Sequence, residues 1–133
     1  MARPGITHPE LVEILCTMLG GFLRVLLGDP LPDYYGKFVN QAASGPPRVF
    51  RLLDRRFAPL RDTLAEAIAR LTGESTSSPA TQVRALSLIG SCVTFRRDRP
   101  TVLRTLKWKQ IGAKELKAIE QGVQANVRAT FSR

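Results

Sequence analysis

The chain has 133 residues, of which 44% are hydrophobic, and it carries a formal net charge of +9. This length is enough for one domain with its own core, and the composition is that of a globular protein, which excludes a disordered or fibrous chain. The first residues lack the cationic start and cleavage site of a signal peptide, so we expect a cytoplasmic protein. Because the single histidine and the two cysteines lie far apart in the sequence, we expect buried reduced thiols and no metal site.

The first helix is predicted to follow Thr7 and to end at about Gly28. Thr7 and Glu10 have the spacing of a capping box, in which side chains bond the free N–H groups of the first turn. Gly28 precedes Asp29-Pro30, a combination that ends helices. Gly21 lies on a side where a neighbouring helix could come near. The buried stripe follows at spacings of three and four: Leu11, Leu15, Met18, Leu19, Phe22 and Leu26.

Two more helices are predicted before the middle of the chain. One covers residues 32–43 and ends before Ser44-Gly45-Pro46-Pro47. The other covers residues 49–71, and its apolar phase continues across Pro59. It is therefore either one helix kinked there or two nearly collinear helices. The polar stretch 72–78 that follows is the best candidate for disorder.

The next helix, residues 79–95, is the most unusual stretch of the sequence. Ser78 is its predicted N-cap and Pro79 its first residue. No charge occurs between Arg84 and Arg96. A helix that is apolar nearly all round is buried on more than one side, and this one is too short to cross a bilayer. We therefore expect a central helix that packs on its own domain with one face and on another helix with a second face, and a second copy of the chain is one source of that other helix.

The end of the chain is predicted to hold a short helix, residues 99–106, and a long one, residues 113–131. The long helix has an apolar row formed by Leu116, Ile119, Val123 and Val127. Beside that row is a small-residue row formed by Ala118, Gly122, Ala125 and Ala129. The charge-free helix also carries a small-residue row, and two such rows indicate a close helix–helix interface. No segment alternates with period two, so the fold class is all-α.

The sequence offers no sign of catalysis. The histidine precedes a helix, acidic residues are scattered on polar faces, and Gly20-Gly21 lies inside a helix and not after a strand. We therefore expect no enzyme, no catalytic or metal-binding residue and no cofactor. Binding of a small apolar ligand between helices remains as a function for these side chains, although each candidate residue taken alone is more typical of the hydrophobic core. The candidates are Met18, Phe22, Tyr34, Tyr35, Phe38, Cys92 and Phe95.

Basic side chains are concentrated in residues 48–61 and 96–117. Such runs can attract nucleic acid or an acidic protein surface, or they can simply be solvated helix faces and caps. No aromatic residues interleave with the arginines, as a platform for base stacking would require. A basic helical adaptor for an acidic protein or nucleic acid is therefore the alternative function.

The order of these features resembles a known family. A long helix closes with Leu27-Gly28-Asp29-Pro30, and the charge-free helix runs into Phe95-Arg96 and Arg99-Pro100-Thr101-Val102-Leu103. Trp108 and the segment 111–119 follow. This order is similar to the C-terminal regulatory domain of TetR-superfamily transcriptional regulators, in the CerR-like branch. The similarity runs from about residue 8 to the end and is most specific over 85–119. Lys107 stands where the family favours glycine.

The resemblance implies a single effector-binding and dimerisation domain over residues 1–133, folded as a bundle of about six or seven helices. It implies that the last long helices pair with those of a second subunit, and that earlier helices enclose a small effector. DNA would be bound only through a helix-turn-helix domain that is absent from this chain, and no membrane is involved. The residues expected at the homodimer interface are Leu86, Ile89, Gly90, Val93, Ile119, Gly122, Val123 and Val127.

Overall fold

The computed structural model describes residues 5–28 and 47–132. Regular structure within these ranges is entirely helical, which confirms the all-α prediction for this part of the chain. The described part holds five α-helices, fewer than the six or seven expected, and the helix predicted at 32–43 lies outside it. The elements are α1 (His8–Leu23), a π-helical turn (Arg24–Gly28), α2 (Pro47–Thr72), α3 (Pro79–Arg97), α4 (Arg99–Leu106) and α5 (Ala113–Phe131).

The helices begin at the residues whose side chains can satisfy a free N–H group. The Glu10 N–H donates to Thr7 Oγ1 at 3.3 Å, and the Thr81 N–H donates to Ser78 Oγ at 3.2 Å. At α5 the roles are reversed, because the Gly112 N–H donates to Glu115 Oε1 at 3.0 Å. Each bond satisfies a donor that the helix itself cannot pair. The predicted starts of α1 and α3 are thereby confirmed.

Helix α1 lies at the centre of the described fold, because it contacts α2, α3 and α5. Leu15, Leu19 and Leu23 on its inner side are completely buried. Burying each of these side chains contributes about 1.5–3 kcal/mol relative to exposure. The matching row on α5 is Ile119, Val123, Val127 and Phe131.

Helix α3 contacts α1, the π-helical turn, α2 and α4, but only one of its sides is buried in the protomer. It buries Ala85 and Cys92, but Val83 and Leu86 on the opposite side are 61% and 54% exposed. The expected packing of one face on its own domain is thus confirmed, and covering of the other face by a second copy of the chain stays a prediction. An uncharged helix shows no polar face in its sequence, so the pattern does not tell a core-facing side from an outward one.

The seam between α1 and α5 is antiparallel and rich in hydrogen bonds. Gln124 Nε2 donates to the Cys16 carbonyl at 3.0 Å, and Cys16 Sγ donates to the Gln124 carbonyl at 3.8 Å. Arg128 makes two bonds of 3.0 Å to the Glu13 carboxylate near one end of the seam. Arg24 binds the Glu120 carboxylate near the other end, at 3.0 and 3.2 Å. The polar residues of both helices thus fix their alignment.

The connection between α2 and α3 differs from its prediction, whereas α2 itself follows one of the two alternatives. α2 is one helix through Pro59, whose carbonyl accepts a hydrogen bond from Thr63 Oγ1 at 2.8 Å. The polar loop that follows, a candidate for disorder by sequence, is closed by side-chain bonds. Thr81 Oγ1 donates to the Ser75 carbonyl at 2.8 Å, and Gln82 Nε2 donates to the Thr76 carbonyl at 2.6 Å.

Candidate functional site

Three of the predicted ligand-binding residues lie on the inner sides of α1 and α3. Phe22 and Cys92 are buried in the main hydrophobic cluster, and Phe95 is half-buried against it. Leu26, in the π-helical turn, belongs to the same cluster. These residues form an apolar region between the end of α1 and the end of α3. Tyr34, Tyr35 and Phe38 were predicted for the same site and lie outside the described residues.

Met18, one turn before Phe22 on α1, is half-buried against the same hydrophobic cluster. It lines a groove of about 560 Å³ with five neighbours from the same helix. Phe22, Cys92 and Phe95 do not belong to the described lining of this groove, so Met18 joins them only through the hydrophobic cluster. The other lining residues are Pro9, Glu10, Glu13, Ile14 and Thr17.

The Cys92 thiol is a neutral, apolar part of the inner region. Its side chain has no solvent exposure, and burial raises its pKa to about 11. A thiol in this state is a weak donor and behaves as a small hydrophobic group. Cys92 can therefore contribute shape and apolar surface to a ligand site, but not nucleophilic chemistry.

Arg96 is the residue of this region that the sequence patterns did not single out. Its Nη1 donates to the Leu26 carbonyl at 2.8 Å, across the 70 residues that separate them in the chain. The same guanidinium has a buried Nε that makes no hydrogen bond to any residue that the structure describes. A cation at the end of a helix is favourable, because the unpaired carbonyls there carry partial negative charge. The available sequence signal was its position as the first charge after the uncharged run.

The residues predicted for the dimer interface divide into two groups. Leu86 and Gly90 of α3 and Gly122 of α5 are exposed, and Ile89 and Val93 are half-buried. Ile119, Val123 and Val127 are instead buried within the protomer. Their burial is explained by α1 without any second copy, since an apolar row satisfied by one neighbour is not available to another. The interface itself stays a prediction.

A comparison with protein families decides the class of the chain. Residues 11–132 match the family described as HTH-type transcriptional dual regulator CecR, C-terminal domain. The chain belongs to the CecR C-terminal domain family. It is thus the C-terminal domain of a TetR-type transcription regulator, which confirms the resemblance at that level. Neither a curated protein nor a solved structure shows a significant match.

Homodimers and ligand binding are typical of the regulators to which the CecR C-terminal domain belongs. The described residues contain no group of three or more His, Cys, Asp or Glu side chains placed to hold a metal ion. Across the same residues, no helix is both long enough and apolar enough to cross a membrane.

Proposed function

We propose that this chain is the dimerising, effector-sensing domain of a TetR-type transcription regulator of the CerR-like branch. Family membership supports the class, and the uncovered apolar side of α3 is the observation that carries the proposal. On that side, Leu86 is 54% exposed and Gly90 is exposed. A second copy of the chain would cover it. We propose further that the domain acts in the cytoplasm, is not an enzyme and needs no cofactor.

The proposed interface is the outward side of α3, extended by the small-residue side of α5. A Cβ built at Gly90 or at Gly122 meets no atom within 4 Å, so both glycines face open space in the protomer. Small residues allow another helix to come close, and Leu86 supplies apolar area beside them. A two-fold interface uses the same surface twice, so two helices from each chain form a four-helix bundle. A permanent dimer of this kind buries upwards of about 2,000 Å².

Effector sensing is assigned to the apolar region where α1 and α3 end. We propose that a small apolar ligand binds near Phe22, Cys92 and Phe95, since ligand pockets are mainly apolar with a few orienting polar groups. Binding would favour one arrangement of α1 relative to α3. Because α3 also carries the proposed interface, this shift changes the separation of DNA-binding heads that lie outside this chain.

The dimer is tested by light scattering at micromolar concentration on wild type, Gly90→Leu and Gly122→Leu. We expect the wild type to be a dimer and both variants to shift towards monomer while keeping their helical circular dichroism. Overpacking typically costs about 1–3 kcal/mol per site, and symmetry places each change twice in the dimer.

Gly21→Leu is the matched control, because it makes the same change in α1, where a Cβ meets only Arg24 Nη2 at 4.0 Å. It should remain dimeric. A monomeric wild type, or a control that dissociates as readily as Gly90→Leu, would contradict the proposed interface.

The alternative function is supported by the charges of the segment from Arg97 to Lys117. Six of its basic side chains are exposed, and the described residues provide Asp98 as the only ion-pair partner, for Arg97. A basic adaptor would bind polyanions with an affinity that falls steeply as salt rises. Retention of random-sequence duplex DNA in a gel-shift series at physiological salt would favour it, whereas loss of binding there favours the regulatory domain. The six side chains are Arg97, Arg104, Lys107, Lys109, Lys114 and Lys117.

A further inference from the structure

The guanidinium of Arg96 is only partly satisfied by the protein. Nη1 donates to the Leu26 carbonyl, but Nε is buried and has no hydrogen-bond partner in the described part of the chain. Leaving a buried polar N–H group unpaired is unfavourable, and more so when the group is charged. The protein therefore leaves one donor position at this end of α3 without the acceptor that it needs.

Within residues 5–28 and 47–132, no carboxylate forms an ion pair with Arg96. Among the described residues, each carboxylate that forms an ion pair does so with a different arginine. Asp98, two residues away, accepts from Thr94 Oγ1 and from Arg97 Nη2. A half-buried cation that faces only a neutral carbonyl lacks the opposite charge that normally offsets its desolvation.

The free part of the guanidinium has a defined geometry. Arginine presents five N–H donors in a planar fork, and Nε and Nη2 form one edge of it. Nη1, the nitrogen bound to Leu26, is not part of that edge, and Nε on the edge has no hydrogen-bond partner among the described residues. Two parallel N–H donors on one edge match the two oxygens of a carboxylate.

The surroundings restrict what else a ligand at this edge can be. Cys92 lies one turn before Arg96 on α3, Phe22 lies one turn before Leu26, and both are buried. Phe95 is half-buried beside them. A ligand held at the Nε–Nη2 edge thus has apolar side chains within one helical turn, which favours an apolar body attached to the charged group.

We propose that Arg96 binds the carboxylate of an amphiphilic effector through its Nε–Nη2 edge, with the apolar body of the effector among Phe22, Cys92 and Phe95. This inference rests on the proposed sensing function and specifies its ligand class. Binding supplies an acceptor to the unpaired Nε and a negative charge to the unpaired cation. It also bridges the end of α3 to the end of α1, since Nη1 of the same side chain holds Leu26.

The test is isothermal titration calorimetry with acid and alcohol pairs of equal shape. The probes are decanoate against decanol and 4-phenylbutyrate against 4-phenylbutanol, with sodium sulfate to represent an anion without an apolar body. On wild type, at least one acid should bind roughly tenfold or more tightly than its alcohol, because a charge-assisted hydrogen bond is among the strongest contacts available. Sulfate at the same ionic strength should bind no more than weakly.

Variants locate the effect at Arg96. Arg96→Gln should remove the preference for the acid, and Arg96→Lys should weaken it because lysine has no planar edge. Arg97→Gln makes the same change of charge at the exposed neighbouring position and should keep the preference. If circular dichroism shows that Arg96→Gln does not fold, the test rests on Arg96→Lys and on the ratio of acid affinity to alcohol affinity in wild type.

The proposal is overturned if neither acid binds wild type better than its alcohol, if sulfate binds as tightly as the acids, or if Arg97→Gln loses as much as Arg96→Gln. Light scattering on the same samples reports the dimer separately. A monomeric wild type that still prefers the acid would refute the proposed dimer and support this site.

Discussion

Gly20 of α1 and Glu120 of α5 meet where the two helices pack: a Cβ at position 20 would lie 2.7 Å from Glu120 Oε1. The same Cβ would lie 3.2 Å from Gln124 Nε2. Both side chains use the space above the glycine for bonds back to α1, Glu120 to Arg24 and Gln124 to the Cys16 carbonyl. The absence of a side chain at position 20 is thus what allows these inter-helix bonds.

The first prediction follows from this contact. Alanine in place of glycine inside a helix normally stabilises it by about 0.5–1 kcal/mol. We expect Gly20→Ala to lose that gain, because the new methyl group displaces Glu120 and Gln124 from their partners. Gly20→Leu should destabilise the protein by about 1–3 kcal/mol. Urea unfolding monitored by circular dichroism measures both values.

Gly21→Ala is the control, since a Cβ there touches only the far end of Arg24, and it should show the full gain of alanine. Glu120→Ala in the Gly20→Ala background should restore part of the stabilisation expected from alanine, because it removes the side chain that competes with the new methyl group for space. Equal stability changes for Gly20→Ala and Gly21→Ala would show that Gly20 has no special role in the seam.

The second prediction concerns Lys107, the one described non-glycine residue with a positive φ, at 57°. It ends α4 with the two bonds of a Schellman motif, from its own N–H to the Arg104 carbonyl and from the Trp108 N–H to the Leu103 carbonyl. The left-handed conformation costs an L-residue about 1–2 kcal/mol, whereas glycine adopts it freely. Glycine also gains freedom in the unfolded chain, which offsets part of the benefit.

We therefore expect Lys107→Gly to raise the free energy of unfolding by about 0.5–1 kcal/mol. Lys109→Gly removes the same charge two residues later, at a position without a positive φ, and should give no gain. Chemical denaturation of the two variants beside wild type is the measurement. A loss of stability in Lys107→Gly equal to that in Lys109→Gly would rule out backbone strain at this cap.

The helix ends of the described part were largely predictable from the sequence. Thr7 and Ser78 act through a hydrogen bond to the N–H group three residues on, and Pro79 acts through its fixed φ, so the local pattern is sufficient. The apolar row of α5 was predicted for the same reason, since its period is a local property. Which neighbour covers that row is decided by tertiary packing, and the sequence did not assign it to α1.

The glycines of α1 show a limit of prediction from local sequence patterns. Gly21 was expected to face a neighbouring helix, but Gly20 does so, and a glycine has no side chain whose polarity could reveal its environment. Arg96 was missed for a related reason. Its role depends on the Leu26 carbonyl, which the π-helical turn places within 2.8 Å although it is distant in the chain.

The third prediction is that neither cysteine reacts in the folded protein. Cys16 and Cys92 are both buried, and burial raises the pKa of each thiol, that of Cys92 to about 11. The thiolate is the reactive form, and only about a thousandth of the Cys92 thiol is ionised at pH 8. Ellman's reagent should therefore label no thiol in native protein and two in denaturant.

Ser132→Cys places a thiol at an exposed position and should react at once. Rapid labelling of native wild type would contradict the buried placement of both side chains.

The last prediction concerns the ion pair between Glu13 and Arg128, which spans the seam of α1 and α5. Hydrogen bonding to Arg128 holds the pKa of the Glu13 carboxyl below its ordinary value. A carboxyl with a lowered pKa in the folded state contributes stability that is fully present above its unfolded pKa, about 4.3, and is lost as the pH falls through the lowered value. Glu13→Gln should therefore melt at a lower temperature than wild type at pH 7, and the gap should close as the pH falls below about 4.

Both partners are exposed, so the gap should be small and should shrink as salt rises. Arg128→Gln should produce the same pH-dependent gap, and the double variant should add nothing further, because each single change already removes the pair. Calorimetric melting temperatures of the four proteins between pH 3 and pH 7 provide the measurement. A gap that persists unchanged at the acid end, or that doubles in the double variant, would show that the two residues stabilise the seam independently of each other.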